Sequence, residues 1–204
     1  MDPVSAVGAL NAAQILAFHD KALAVLGEPA PSDAGVWEAI AANHRHNCAL
    51  WAEEDLARRR NVPDAEIAAN KRAIDVHNQK RNDAIERIDE MFLSDFSDVN
   101  RASDARLNSE TAGAMVDRLS ILSLKIHHMR LQTERQDVDE HHRQTCRAKL
   151  GRLVEQRTDL AACLDRLLRE VENGTAYFKL YRQFKMYNDP SLNPALYAES
   201  KKPS

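Results

Sequence analysis

The chain has 204 residues, of which 44% are hydrophobic, 29% charged and 5% aromatic, with a formal net charge of −3. That length suits one domain, and that apolar content supplies a core, which excludes disorder as the default state. A weakly acidic balance lacks the basic excess of a nucleic-acid binder, so no nucleic-acid partner is expected.

Cys48, Cys146 and Cys163 lie far apart and in no CxxC spacing, which predicts neither a disulfide framework nor a thiolate zinc site. They read as reduced, buried thiols of a soluble cytoplasmic protein. The opening MDPVSAVGAL carries no positive charge before Lys21, unlike a secretory signal. No stretch approaches about 18 consecutive apolar residues, so no membrane span is expected.

Taken in chain order, punctuation by Gly, Pro and Asn divides the sequence into helical stretches. The first covers about Val4 to Leu26 and is followed by a loop through Gly35. A second covers Val36 to about Arg60. After the break Asn61-Val62-Pro63 a third runs to about Leu93, with Pro63 as its first residue. The short break implies an antiparallel hairpin. Ser94 to Asn108 is polar loop. Thr111 opens a fourth helix to about Arg135, and Asp137 or Val138 starts a fifth to Glu172, ended by Asn173-Gly174. A short sixth helix is expected over Ala176–Tyr187. No segment sustains period-2 alternation, so no sheet is expected. The expectation is an all-α, single antiparallel bundle of about five long helices plus a short C-terminal one. It forms one domain over 1–204, with a core over 34–190 and an irregular tail over 191–204.

Two of these helices carry polar residues on faces that should pack. On the second, Asn43, Asn47, Trp51, Glu54 or Asp55, and Arg58 recur at helical spacing along one side. On the third, the apolar stripe Ile67, Ile74, Ile85, Ile88, Phe92 is interrupted by Asn78 and Arg81, with Asn82, Glu86 and Asp89 beside the gap. Asn is unfavourable inside a helix, so its repetition asks for a reason. Ordinary ion pairing and mutual hydrogen bonding explain any one of these residues. Burying the whole set is costly unless every group is satisfied, and a bound ligand would help. Gly113, in the first turn of the fourth helix, leaves its backbone N–H open to an anion such as phosphate or simply permits close packing. Asp117 stands on the same flank. The candidate ligand-binding set is therefore Asn47, Trp51, Glu54, Arg58, Asn78, Arg81, Asn82, Glu86, Gly113 and Asp117.

His127-His128 and His141-His142 are adjacent pairs whose side chains diverge on a helix, and His44 and His46 do not converge either. No metal site is assigned to them. The aromatic and basic run Tyr177 to Asn188 suits an end cap, a homodimer contact or a pocket wall.

The strings Leu50-Trp51-Ala52-Glu53-Glu54-Asp55, Asn78-Gln79-Lys80-Arg81-Asn82-Asp83-Ala84-Ile85-Glu86-Arg87-Ile88-Asp89, and Glu110-Thr111-Ala112-Gly113 with Asp117 through Ile126 resemble an uncharacterised bacterial domain-of-unknown-function family. The likeness spans about Asn43 to Tyr197 and departs at Ala112, where the family more often has Pro. Members are often encoded beside glycosyltransferases. The resemblance therefore implies a sugar or sugar-nucleotide ligand in cell-surface polysaccharide metabolism, held by Asn78, Asn82 and Glu86 with Arg58, Arg81 and Gly113 at phosphate. Two alternatives stay open. One is a Mg²⁺-dependent all-α nucleoside-triphosphate pyrophosphatase-like hydrolase, using Glu53-Glu54 with Glu86 and Asp89. The other is a non-catalytic interaction module. The residues themselves assign no catalytic group and no cofactor.

Overall fold

Strong helix formers fill nearly every segment, and the chain obeys them. The computed structural model describes residues 10–25, 35–182, 186 and 189–199. Its long helices are α1 (Ala12–Ala24), α2 (Val36–Leu56), α3 (Asp64–Asp95), α4 (Ala112–Glu134) and α5 (Glu140–Glu172). The starts are set by side-chain caps. Asn11 forms a capping box with Gln14, Thr111 accepts from the Ala114 amide, and Asp139 accepts from the His142 amide. Pro63 is the N-cap of α3 rather than its first helical residue.

Helix directions follow from the contacts. α2 and α3 are antiparallel, since Asn70 donates to Glu53 and His46 meets His77. α2 and α4 run the same way, with Asn43 on Asp117 and Trp51 on His128. α5 runs against α1, tied by Asp165 to the Ala12 amide and by Arg157 to Asp20. The core gathers Ile15, Ile40, Ile88, Phe92, Leu119 and Leu164, all essentially without exposure. They cluster near the end where α2 and α4 begin, and the opposite end is more thinly filled.

Three expectations about the C-terminal quarter are corrected. The first is the absence of a sheet: β1 (Arg106–Leu107) and β2 (Ala176–Tyr177) pair in parallel, Arg106 opposite Ala176. A two-residue strand has no period to read. The second is a helix over Ala176–Tyr187. At the end of α5 the Gly174 amide bonds the Val171 carbonyl and the Thr175 amide bonds the Glu170 carbonyl, a turn that reverses the chain. The chain leaves it extended and buries Ala176 and Phe178, so tertiary packing overrides helix propensity. Residues 183–185 and 187 of the expected helix lie outside the described residues. The third is the irregular tail, which holds α6 (Pro194–Glu199), with Asn193 Oδ1 accepting from the Ala195 amide. Residues 4–9 and 26 of the expected first helix also lie outside the described residues, and the described helix begins at Ala12. Among the described residues no helix is long and apolar enough to cross a membrane.

Gly174 holds φ at +71°, and a Cβ there would run into the Asn100 carbonyl. Gly174→Ala should therefore cost about 2 kcal/mol, read by urea unfolding. A loss below about 0.5 kcal/mol would contradict the account of this turn.

Candidate ligand-binding cleft and its buried polar support

The polar seam of α2 meets α4 as a closed network. Asn43 Nδ2 donates to Asp117 Oδ1 at 2.8 Å and Asn47 Nδ2 donates to the same oxygen at 2.9 Å. Asn47 Nδ2 also lies 3.0 Å from Ser120 Oγ, which bonds His44 Nδ1 at 2.8 Å. Arg81 Nε stands 3.8 Å from Asp117 Oδ1, close enough for charge compensation, yet is buried without a hydrogen bond. Asn43, His44, Asn47, Asp117 and Ser120 are all buried. These residues satisfy one another, so this part of the seam is a structural lock between α2, α3 and α4.

A second buried carboxylate holds the start of α4. Asp89 Oδ1 accepts from the Gly113 amide at 2.6 Å and bonds Thr111, occupying the place where a phosphate was expected. A Cβ at Gly113 would sit 2.5 Å from the Ile85 carbonyl oxygen, so the glycine serves this close approach of α3 and α4. Burial pushes the Asp89 carboxyl up to about 6, against the hydrogen bonds from Thr111 and Gly113, with Glu86 adding to the rise. Asn82 and Glu86 line a recess of about 340 Å³ beside Asp89, Glu110 and Tyr181.

The remaining members of the expected set are dispersed. Glu54 and Arg58 form an exposed i,i+4 ion pair at the end of α2, 2.7 Å apart. Asn78 is half-buried on α3. The carboxylates required by the hydrolase alternative do not converge. Glu53 accepts from Asn70, and Glu86 lies sixteen residues further along α3, about 24 Å at the helical rise. Among the described residues no three His, Cys, Asp or Glu side chains are grouped as for a metal ion.

Trp51 belongs to a different environment. It lines a cleft of about 620 Å³ between α2, α4 and α5. Its indole stacks on the His128 imidazole, with centroids 4.4 Å apart and planes 6° from parallel. Met129 and Leu153 add apolar wall, and Gln132 and Gln156 add amide groups. Lys125, Lys149 and Arg152 stand around it with no ion-pair partner among the described residues, and Asp55 is its one carboxylate. Burial, with a smaller contribution from His127, holds His128 below its ordinary value of 6.5, so its ring is neutral at pH 7; Asp55 opposes this. The cleft therefore offers a flat aromatic surface beside a net positive rim.

A family model described as "Protein of unknown function (DUF4254)" matches residues 37–180. The chain belongs to the DUF4254 family. No curated protein and no solved structure matches it. The match takes in α2 to α5 and β2 of this DUF4254 protein, and with them the network and the cleft.

Within the sequence, His128 looked unpromising because it was weighed only against its helical neighbours. Its partner Trp51 lies on another helix. Lys149, Arg152 and Gln156 were missed too, although they share one face of α5 with Leu153 at helical spacing. His46 and His77 likewise pair across α2 and α3, with their Nδ1 atoms 3.2 Å apart. The thiols are free, but of the three only Cys146 is buried: Cys48 is half-buried, and Cys163 is exposed on the outer face of α5.

Removing the Asp117 carboxylate leaves buried amide donors unpaired, so Asp117→Ala should cost about 2–3 kcal/mol in urea unfolding. Arg58→Ala, which breaks an exposed pair, should cost less than about 0.5 kcal/mol. Equal effects would remove the distinction drawn here. Asp89 titrates in the folded state above its ordinary 3.8, so its contribution weakens the fold as pH rises from 4 through 6. Asp89→Asn keeps an acceptor for Gly113 and does not titrate. Its stability relative to the parent should rise between pH 4 and pH 7.5 by on the order of 1 kcal/mol. A pH-independent difference would contradict this.

Proposed function

We propose that this DUF4254 protein binds an anionic ligand carrying a planar ring, of the nucleotide or nucleotide-sugar class, in the cleft between α2, α4 and α5. The observation that carries the proposal is the stacked Trp51–His128 pair beside Lys125, Lys149 and Arg152. A base or similar ring can join the stack, and stacking on an aromatic side chain contributes about 1–3 kcal/mol per base. Three cations facing one carboxylate repel one another across the cleft, and phosphate or carboxylate oxygens relieve that repulsion through charge-assisted hydrogen bonds. A volume of about 620 Å³ is in the range of small-molecule sites. The sugar portion is suggested by the resemblance to proteins encoded beside glycosyltransferases. In the cleft, Gln132, Gln156 and Asp55 supply groups suited to hydroxyls. The proposal concerns binding and assigns no reaction.

Titration calorimetry with uridine and adenosine diphosphates, their nucleosides and inorganic pyrophosphate tests this directly. The diphosphates should bind at least about tenfold more tightly than the nucleoside or pyrophosphate alone, because ring and anion are held together. Trp51→Ala should weaken binding by about fivefold or more, and Arg152→Ala should weaken it while Arg58→Ala leaves it unchanged. Absence of binding at millimolar nucleotide, or equal loss in the Arg58 variant, would overturn the proposal.

A further inference from the structure

α1 lies in the same groove as the cleft. Its Asp20 meets Arg157 of α5 at 2.6 Å, and that guanidinium also bonds Ser123 of α4 at 3.1 Å. The next turn of α5 brings Leu153 and Gln156, and two residues beyond Ser123 comes Lys125, all of them lining the cleft. α1 thus fills one half of a groove whose other half is open. It also lies outside the family match, which begins at residue 37.

The seating of α1 is poorly matched chemically. Ile15 and His19 are its fully buried side chains, together with Ala12 at 1% exposure. His19 stacks on His44 of α2, with centroids 4.6 Å apart, and neither ring nitrogen of His19 has a hydrogen-bond partner. Its polar anchors to the bundle are Asp165 on the Ala12 amide and Asp20 on Arg157. A buried imidazole with both nitrogens unpaired costs free energy that an apolar side chain would not. At 13 residues α1 is also near the lower limit for a helix to persist unsupported.

We infer that α1 is a proton-released latch, seated in the groove while His19 and His44 are neutral and leaving it, with α2 to α5 still folded, once they are charged. Among the described residues the surroundings give an imidazolium no carboxylate that is not already paired. On α1 itself Asp20 is paired with Arg157. On α2 the neighbour is His44, whose Nε2 faces Cys48 Sγ at 3.7 Å. α4 presents the hydroxyls Ser120 and Ser123, and α5 presents the cation Arg157 and the committed Asp165. Burial, His44 and Arg157 all hold His19 well below its ordinary value, and burial brings His44 down to about 4, with Asp20 opposing.

The direction follows from these shifts. At pH 7.5 both histidines are largely neutral whether α1 is seated or released. As pH falls from 6.5 towards 4 the released form takes up protons that the seated form refuses, so release is increasingly favoured. Between pH 7.5 and pH 5 a histidine that regains its ordinary 6.5 on release contributes up to about 30-fold, and His44, which stays bonded to Ser120, contributes less. If the cleft binds a ligand as proposed above, release lengthens it towards His44 and Ser120.

Hydrogen exchange of the full-length chain without ligand tests the latch independently of binding. Protection factors, corrected for the intrinsic pH dependence of exchange, are compared at pH 7.5 and pH 5.0. The amides of α1 should lose at least tenfold more protection than those of α4 and α5. In His19→Gln and His19→Leu, two non-titrating variants of different polarity, that extra loss should be at least about threefold smaller, leaving at most the share of His44. Constant protection of α1, parallel loss in α1 and α4, or an undiminished loss in whichever histidine variant folds would each overturn the inference.

Discussion

A single carboxylate, that of Asp117, fixes how α2 and α4 meet. It receives amide protons from Asn43 and Asn47, one turn apart on α2, while Arg81 of α3 supplies a nearby positive charge. A buried carboxylate is tolerated only when it is hydrogen-bonded and its charge is compensated, and two Asn side chains on one helical face provide the first condition. The same contact sets the register, because Asn residues spaced by four can address one oxygen only where that turn of α2 lies close to Asp117, and the Trp51–His128 contact further along fixes the shared direction. From that register the rest of the shared face follows. Ser120 falls on His44, and His128 falls on Trp51.

The bundle consequently divides along its length. At the end where α2 and α4 begin, apolar side chains from all five long helices fill the core, and Asp89 clamps the first turn of α4 through Gly113. At the other end the filling thins and α2, α4 and α5 enclose the cleft. Polar residues do different work in the two halves. Inside, Asn43, Asn47, Ser120 and Asp117 consume one another's hydrogen-bonding capacity. At the cleft, Lys125, Lys149 and Arg152 have cationic groups left over. Unspent charge beside a flat ring surface is what distinguishes the proposed binding cleft from the structural network.

Much of this was legible in the sequence, and the exceptions have physical causes. The five long helices were readable, and so were the ends marked by Thr111 and Asn173-Gly174, which act through local bonds; the caps Asn11 and Asp139 were not picked out, and the first and fifth helices begin later than expected. The polar faces of α2 and α3 pointed to Asn47 and Arg81, and both approach Asp117 of α4, in a buried network rather than as the ligand contacts expected. Periodicity on one helix, however, carries no information about which face its partner offers. It grouped Trp51 with Glu54 and Arg58, although Trp51 turns to α4 and Arg58 ends in solvent. It also passed over His128, Lys149 and Arg152, whose significance arises only when three helices are brought together. The segment after α5 was misjudged for a similar reason. Its helix propensity is adequate, but pairing with Arg106–Leu107 and burial of Phe178 outweigh it.

The division into a closed network and an open cleft is the central claim, and it is tested most directly by a ¹H–¹⁵N NMR titration that follows side-chain as well as backbone resonances. On addition of uridine diphosphate the Trp51 indole N–H, the Arg152 guanidinium and the backbone amides around Lys125 and His128 should shift. The Asn43 and Asn47 side-chain amides, held on Asp117, should stay in place. Shifts centred on Asn47, Asn82 and Gly113 with Trp51 unmoved would show that the ligand site lies in the part of the seam assigned here to structure, and would contradict the account.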